Sequence, residues 1–149
     1  MMMKNIELQR QRLHHGDLVL VNAKHPLRRS EMQDPYLQPL YDALQDMIPA
    51  DMSFPDILMK REAANALKLI IEKISAGDSI IPVSGYRSPE EQGDIYMASL
   101  KDNGEDFTRQ YVAMPEHSEH QTGLAIDLGV NKNKMDFICP DFPYDGICN

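Results

Sequence analysis

The sequence predicts an α+β domain in which a small, mostly antiparallel sheet is flanked by helices. Three observations carry this reading. One long stretch has helical periodicity, two short apolar runs have the length of strands, and one later segment alternates residue by residue. Short strands mixed with helices in no regular order fit α+β better than a βαβ series.

Along the chain, Asp17 to Asn22 is an apolar run behind a glycine and reads as a buried strand. Between residues 26 and 56 stand Pro26, Pro35, Pro39, Pro49 and Pro55. Prolines so spaced permit one or two short helices, Tyr36 to Met47 being the best candidate. The clearest helix runs from about Leu58 to Ala76. Ala63, Leu67, Ile70, Ile71 and Ile74 share one face, and Gly77 is a natural stop. Ser79 to Val83 reads as a strand. Ser84-Gly85-Tyr86-Arg87 then turns into a helix that starts at Ser88-Pro89-Glu90-Glu91, where Ser88 caps and Glu91 completes a capping box. It should run to about Leu100 and stop at Asn103-Gly104. Thr122 to Val130 alternates: Leu124, Ile126 and Leu128 face the core, with Gly123, Ala125, Asp127 and Gly129 opposite. That second face leaves open space above one carboxylate.

The composition narrows the function. With 15 Lys+Arg against 23 Asp+Glu, the 149 residues carry a net charge of -8. Phosphate backbones and anionic lipids call for clustered cations, so neither nucleic acid nor a membrane surface is an expected partner. Arg28-Arg29 with Lys24 is too short a cluster to change this. The 42% hydrophobic content suits a single globular domain over residues 1–149. No run approaches the ~18 apolar residues of a membrane span, and Met1 to Arg12 has no apolar signal core. A cytoplasmic protein is expected, with Cys139 and Cys148 as reduced thiols rather than a disulfide.

The chemistry concentrates near the alternating segment. His14, His15 and His25 are scattered, whereas His117 and His120 precede Asp127 closely. A loop histidine seven residues before an inward-facing aspartate can bring imidazole and carboxylate to one point, a pair that suits zinc. Taken alone, such a pair is more often a turn-capping His and an Asp bonded to nearby backbone.

The surrounding pattern favours the metal. Ser118-x-His120-x-x-Gly123-x-Ala125-x-Asp127, preceded by Ser84-Gly85-Tyr86-Arg87-Ser88 and Gln92, resembles the signature of the VanY-type zinc D,D-peptidases. These include D-alanyl-D-alanine carboxypeptidases, VanX-type dipeptidases and bifunctional VanXY enzymes. The opening Leu18 to Asn22 with His25-Pro26-Leu27 is similar to the start of that domain. The tail from Asp136 to Gly146 is most similar to the VanXY branch.

The resemblance implies the D,D-peptidase or hedgehog-like zinc peptidase fold and hydrolysis of terminal D-Ala-D-Ala in peptidoglycan precursors, an activity linked to glycopeptide resistance. His120 and Asp127 match two of three zinc ligands. Arg87 matches the arginine that stabilises the tetrahedral oxyanion. Ser118, Tyr86 and Gln92 match positions that line the substrate site, although Tyr86 also reads as packing and Gln92 as a surface amide. His117 and Glu119 flank the ligand without a matching role.

One departure stands out. The family takes its general-base glutamate and third ligand from a later Glu-x-Trp-His segment. This sequence has no Trp, no His after His120 and no Glu after Glu119. The expectation is therefore a domain lacking its C-terminal elements. The alternatives are a phage-endolysin-like L-alanyl-D-glutamate peptidase and a catalytically incomplete module that binds metal or wall peptide.

Overall fold

The computed structural model describes residues 19–28, 36–47, 56–74 and 80–130. Strand β1 (Leu37–Pro39) leads into helix α1 (Leu40–Leu44), strand β2 (Leu58–Lys60) into helix α2 (Arg61–Ile74), and strand β3 (Ile80–Ser84) into helix α3 (Pro89–Asn103). Helix α4 (Glu105–Tyr111), a 3-10 turn (Glu119–Thr122) and strand β4 (Asp127–Val130) follow. Among the described residues the strands form two antiparallel pairs, β1 with β2 and β3 with β4. The expected antiparallel pairing with flanking helices is present, split into two ribbons.

The core forms where α1, β2 and α2 meet. Leu40, Leu44, Ile57, Met59, Ala64, Leu67 and Ile71 are buried together, and Ile80 of β3 and Ile126, just before β4, pack against them. Burial of such apolar surface is the main force holding the domain together. The packed seam of α2 is Ala64, Leu67 and Ile71, with Ala63 half-buried beside it. Ile70 and Ile74, expected on the inner face, are more than half exposed. The apolar arc of this helix is wider than the groove that receives it.

Other expectations shift similarly. Leu58 to Lys60 belongs to a strand, so the helix begins at Arg61. Within Tyr36 to Met47, the Pro39 end of a strand comes first and the helix is only Leu40–Leu44. Residues 19–22 form no strand; Asn22 makes a single bridge to His25. The alternating segment is a 3-10 turn followed by a strand that starts at Asp127. Ile126 reaches the core as expected, whereas Leu128 is 44% exposed. Asp17 and Leu18, the C-terminal turn of the Leu58–Ala76 helix, both cysteines and the 136–146 tail lie outside the described residues.

The start of α3 is as read. The Ser88 hydroxyl accepts from the Glu91 N–H at 3.1 Å, and the Glu91 carboxylate accepts from the Ser88 N–H at 2.7 Å. The helix ends at Asn103 with Gly104 as its cap, at the expected Asn103-Gly104 stop, and α4 follows.

Two glycines let loops close against β2. Gly123 adopts a φ of +70°, where side chains are disfavoured, and a Cβ there would lie 2.7 Å from Leu37 Cδ2. Its carbonyl accepts from the Lys60 N–H at 2.9 Å. A Cβ on Gly85 would meet Ile57 Cγ2 at 2.5 Å and the Leu58 carbonyl oxygen at 2.6 Å. Gly85→Ala should therefore destabilise the fold by about 1–3 kcal/mol, the usual cost of overpacking. Urea unfolding checks this, and an unchanged midpoint would refute the close packing.

Candidate metal and anion site

The site is built where the turn after β3 meets the loop before β4. In the β3–β4 ladder, Pro82 faces Leu128 and Ser84 faces Asp127, with a bulge between Pro82 and Ser84. Such a bulge bends a strand and re-aims side chains. Here it sets Asp127 at the mouth of the Ser84–Arg87 turn. The same turn is bonded to the His120 loop, because the Arg87 N–H donates to the His120 carbonyl at 3.3 Å. Tyr86 N–H donates to the Leu58 carbonyl at 2.8 Å and anchors the turn to β2.

His120 is oriented by its backbone partner. Its Nδ1 donates to the Gly85 carbonyl at 2.7 Å. In the neutral ring this leaves Nε2 as a lone pair, and Nε2 lies 3.4 Å from Asp127 Oδ2. Two acceptors facing one another repel unless a cation sits between them or the imidazole takes a second proton. Two ligand atoms of a tetrahedral zinc with bonds near 2.0–2.1 Å stand about 3.3 Å apart. The observed spacing and the donor types therefore fit two corners of a zinc site. Among the described residues, no group of three or more His, Cys, Asp or Glu side chains that could hold a metal ion is present.

Arg87 adds fixed positive charge. Its Nη2 lies 3.5 Å from Asp127 Oδ2, and its Nη1 donates to Gln92 Oε1 at 3.1 Å. Burial pulls its pKa down, against the raising influence of Asp127 and Glu91. A guanidinium still remains charged at any physiological pH. A protonated His120 holds the Asp127 carboxyl below its usual pKa, first through a hydrogen bond and then through its charge, and Arg87 adds to this, while burial opposes them.

A cleft of about 1170 Å³ opens over this cluster. Arg87, Gln92, Ser118, His120 and Asp127 all line it. Ser118 is buried, and its N–H donates to Gln121 Oε1 at 3.4 Å. Tyr86 stands outside the lining residues. Its phenol pKa is raised by burial, then by Glu91 and Glu90. His117 and Glu119 also reach the cleft.

Sequence reasoning missed the opposite wall. Val21, Asn22 and Ala23 form part of it, tied down by His117 Nδ1 donating to the Asn22 carbonyl at 2.8 Å. The available signal was the Asn22-x-x-His25 turn, where Asn22 Oδ1 accepts from the Lys24 N–H at 2.9 Å in the manner of an Asx turn. Tyr96 and the strip Tyr111 to Met114 also line the cleft, and no sequence motif marked them.

The family model for the VanY D-alanyl-D-alanine carboxypeptidase matches residues 56–141, which contain this whole cluster. The chain belongs to the VanY family. It is 36% identical over 126 residues to the bifunctional D-Ala-D-Ala dipeptidase and D-Ala-D-Ala carboxypeptidase VanXYC of Enterococcus gallinarum, covering 84% of this chain and 60% of the relative. A solved vancomycin-resistance D,D-dipeptidase, VanXYg, in complex with a D-Ala-D-Ala phosphinate analogue, superposes with a TM-score of 0.77 at 62% identity. That match covers 99% of this chain and 54% of the VanXYg chain. A VanY D,D-pentapeptidase variant from a VanB-type resistance cassette, in complex with Zn(II), matches with a TM-score of 0.58 at 25% identity, over 77% of this chain and 62% of that one. The VanY-family fold and the VanXY branch, both implied by the sequence motifs, are thus borne out. This VanY-family chain spans little more than half the length of the VanXY relatives it matches. No helix among its described residues is long and apolar enough to cross a membrane.

Proposed function

We propose that this protein is a zinc-dependent D,D-peptidase, a carboxypeptidase or dipeptidase that hydrolyses the terminal D-Ala-D-Ala of peptidoglycan precursors in the cytoplasm. The observation that supports it most is the convergence on one carboxylate oxygen, with His120 Nε2 at 3.4 Å and Arg87 Nη2 at 3.5 Å from Asp127 Oδ2. VanY-family relatives and solved structures whose substrates and inhibitors carry D-Ala-D-Ala chemistry support the substrate class.

In this reading His120 and Asp127 hold zinc. The metal, when bound, supplies a Lewis acid that polarises the peptide carbonyl and lowers the pKa of water. The Gly85 carbonyl keeps the imidazole in the tautomer that offers Nε2. Arg87 presents its Nη2 where negative charge develops on the carbonyl oxygen, a contact that strengthens toward the transition state. Ser118 lines the same cleft and contributes to holding the substrate's terminal carboxylate.

The proton transfer needs a general base. Nothing in the sequence matches the family's Glu-x-Trp-His segment, so residues 1–149 supply the metal and anion contacts without that base. Zinc binding is correspondingly expected to be weak. Isothermal titration at neutral pH should show one zinc per chain, released by a mild chelator. One-to-one binding that survives the chelator would mean that a further protein donor completes the shell.

A further inference from the structure

We propose that Gln92 is a positioning residue for Arg87, and that its amide does not itself meet the substrate. This inference rests on the reading of Arg87 as the anion-binding group. Gln92 is 1% exposed, in the first turn of α3. Its Nε2 donates to the Ala113 carbonyl at 2.7 Å, and its Oε1 accepts from Arg87 Nη1 at 3.1 Å. A backbone carbonyl can only accept, so this contact fixes which end of the amide is nitrogen. The oxygen is thereby the end turned toward the guanidinium.

Arg87 needs such a support. It sits in the turn between β3 and α3, outside any helix or strand. Its Nε is buried and has no hydrogen-bond partner among the described residues. Two contacts orient the guanidinium plane: Gln92 on Nη1 and Asp127 on Nη2. Asp127 is also the proposed metal ligand, and its charge is shared once zinc binds. Gln92 then becomes the neutral contact that keeps Arg87 aimed. A neutral amide suits this role better than a carboxylate, because it holds the guanidinium without neutralising it. The line of support runs from Ala113, just beyond α4, through Gln92 to Arg87.

The test compares residues 1–149 with the Gln92→Met and Arg87→Ala variants. Methionine keeps the length and volume of the buried side chain and removes both hydrogen bonds. Nitrogen NMR of the Arg87 side chain in the metal-free protein is the first readout. Separate Nη signals are expected in the parent, reporting a guanidinium held in one orientation, and merged signals in Gln92→Met. Affinity for a phosphinate analogue of D-Ala-D-Ala, with zinc present, is the second. Gln92→Met should weaken it by about 10- to 100-fold, the range for loss of a contact that orients a functional group, while zinc affinity stays unchanged.

Arg87→Ala tests the underlying reading. If it weakens the phosphinate and Gln92→Met changes neither readout, the positioning role is overturned. If Gln92→Met lowers zinc affinity in parallel, the residue serves the fold generally and the proposal also fails. If the parent binds no phosphinate, or Arg87→Ala leaves its affinity unchanged, the anion reading of Arg87 is the part that falls. The NMR signals then decide the Gln92 contact alone, merged signals supporting it and unaltered ones overturning it.

Discussion

Arg87→Ala is expected to lower kcat for release of D-Ala by roughly a hundredfold or more, with a smaller change in KM. An oxyanion contact acts mainly in the transition state, so its loss appears in turnover. The measurement calls for an enzyme supplied with the family's Glu-x-Trp-His segment, because residues 1–149 alone are expected to hydrolyse D-Ala-D-Ala negligibly. Arg87→Lys should restore only part of the activity. A point charge can reach the anion but cannot keep the planar contacts to Gln92 and Asp127 at once. Steady-state kinetics on the three forms checks this. If residues 1–149 alone turned over dipeptide at ordinary enzyme rates, the missing-base reading would be wrong. Glu119, which lines the cleft, and Glu116 would then become the candidates.

The second large effect concerns the metal. Asp127→Asn should weaken zinc by more than about a hundredfold, beyond what the loss of a merely supporting contact costs. Asparagine keeps the shape of the side chain and the register against Ser84, so the loss would report coordination rather than folding. His120→Ala should do the same, with Gly85 losing the imidazole at its carbonyl. The unfolding midpoints of both variants, measured without metal, separate a folding defect from loss of a ligand. Unchanged zinc affinity in both would place the metal elsewhere.

Much of this site could be read from the residues. Ser88 and Glu91 announced the start of α3 because capping is local chemistry that tertiary packing seldom overrides. His120 and Asp127 were expected to meet, and they do, through a path different from the one foreseen. A simple strand from Thr122 would have placed Leu128 in the core. Instead the 3-10 turn and the left-handed Gly123 consume the first residues, and the ribbon begins at Asp127. Periodicity alone could not show this, because Gly123 is needed for its approach to Leu37 and Lys60, which are distant in sequence. The same limit applies to α2. Ile70 and Ile74 fit the helical stripe as well as Leu67 and Ile71 do, and the shape of the neighbouring α1 and β2 decides which are covered. The wall formed by Val21 to Ala23 depends on a contact between Asn22 and His117, too far apart in sequence for any local pattern to reveal.

His120 and Asp127 are proposed to share a zinc ion. Crystals of the protein grown with zinc, measured on both sides of the zinc absorption edge, test it directly. An anomalous peak is expected within about 2.0–2.2 Å of both His120 Nε2 and an Asp127 carboxylate oxygen, with the Gly85 carbonyl still bonded to Nδ1. A peak bound to other side chains, or none between this imidazole and carboxylate at saturating zinc, would contradict it.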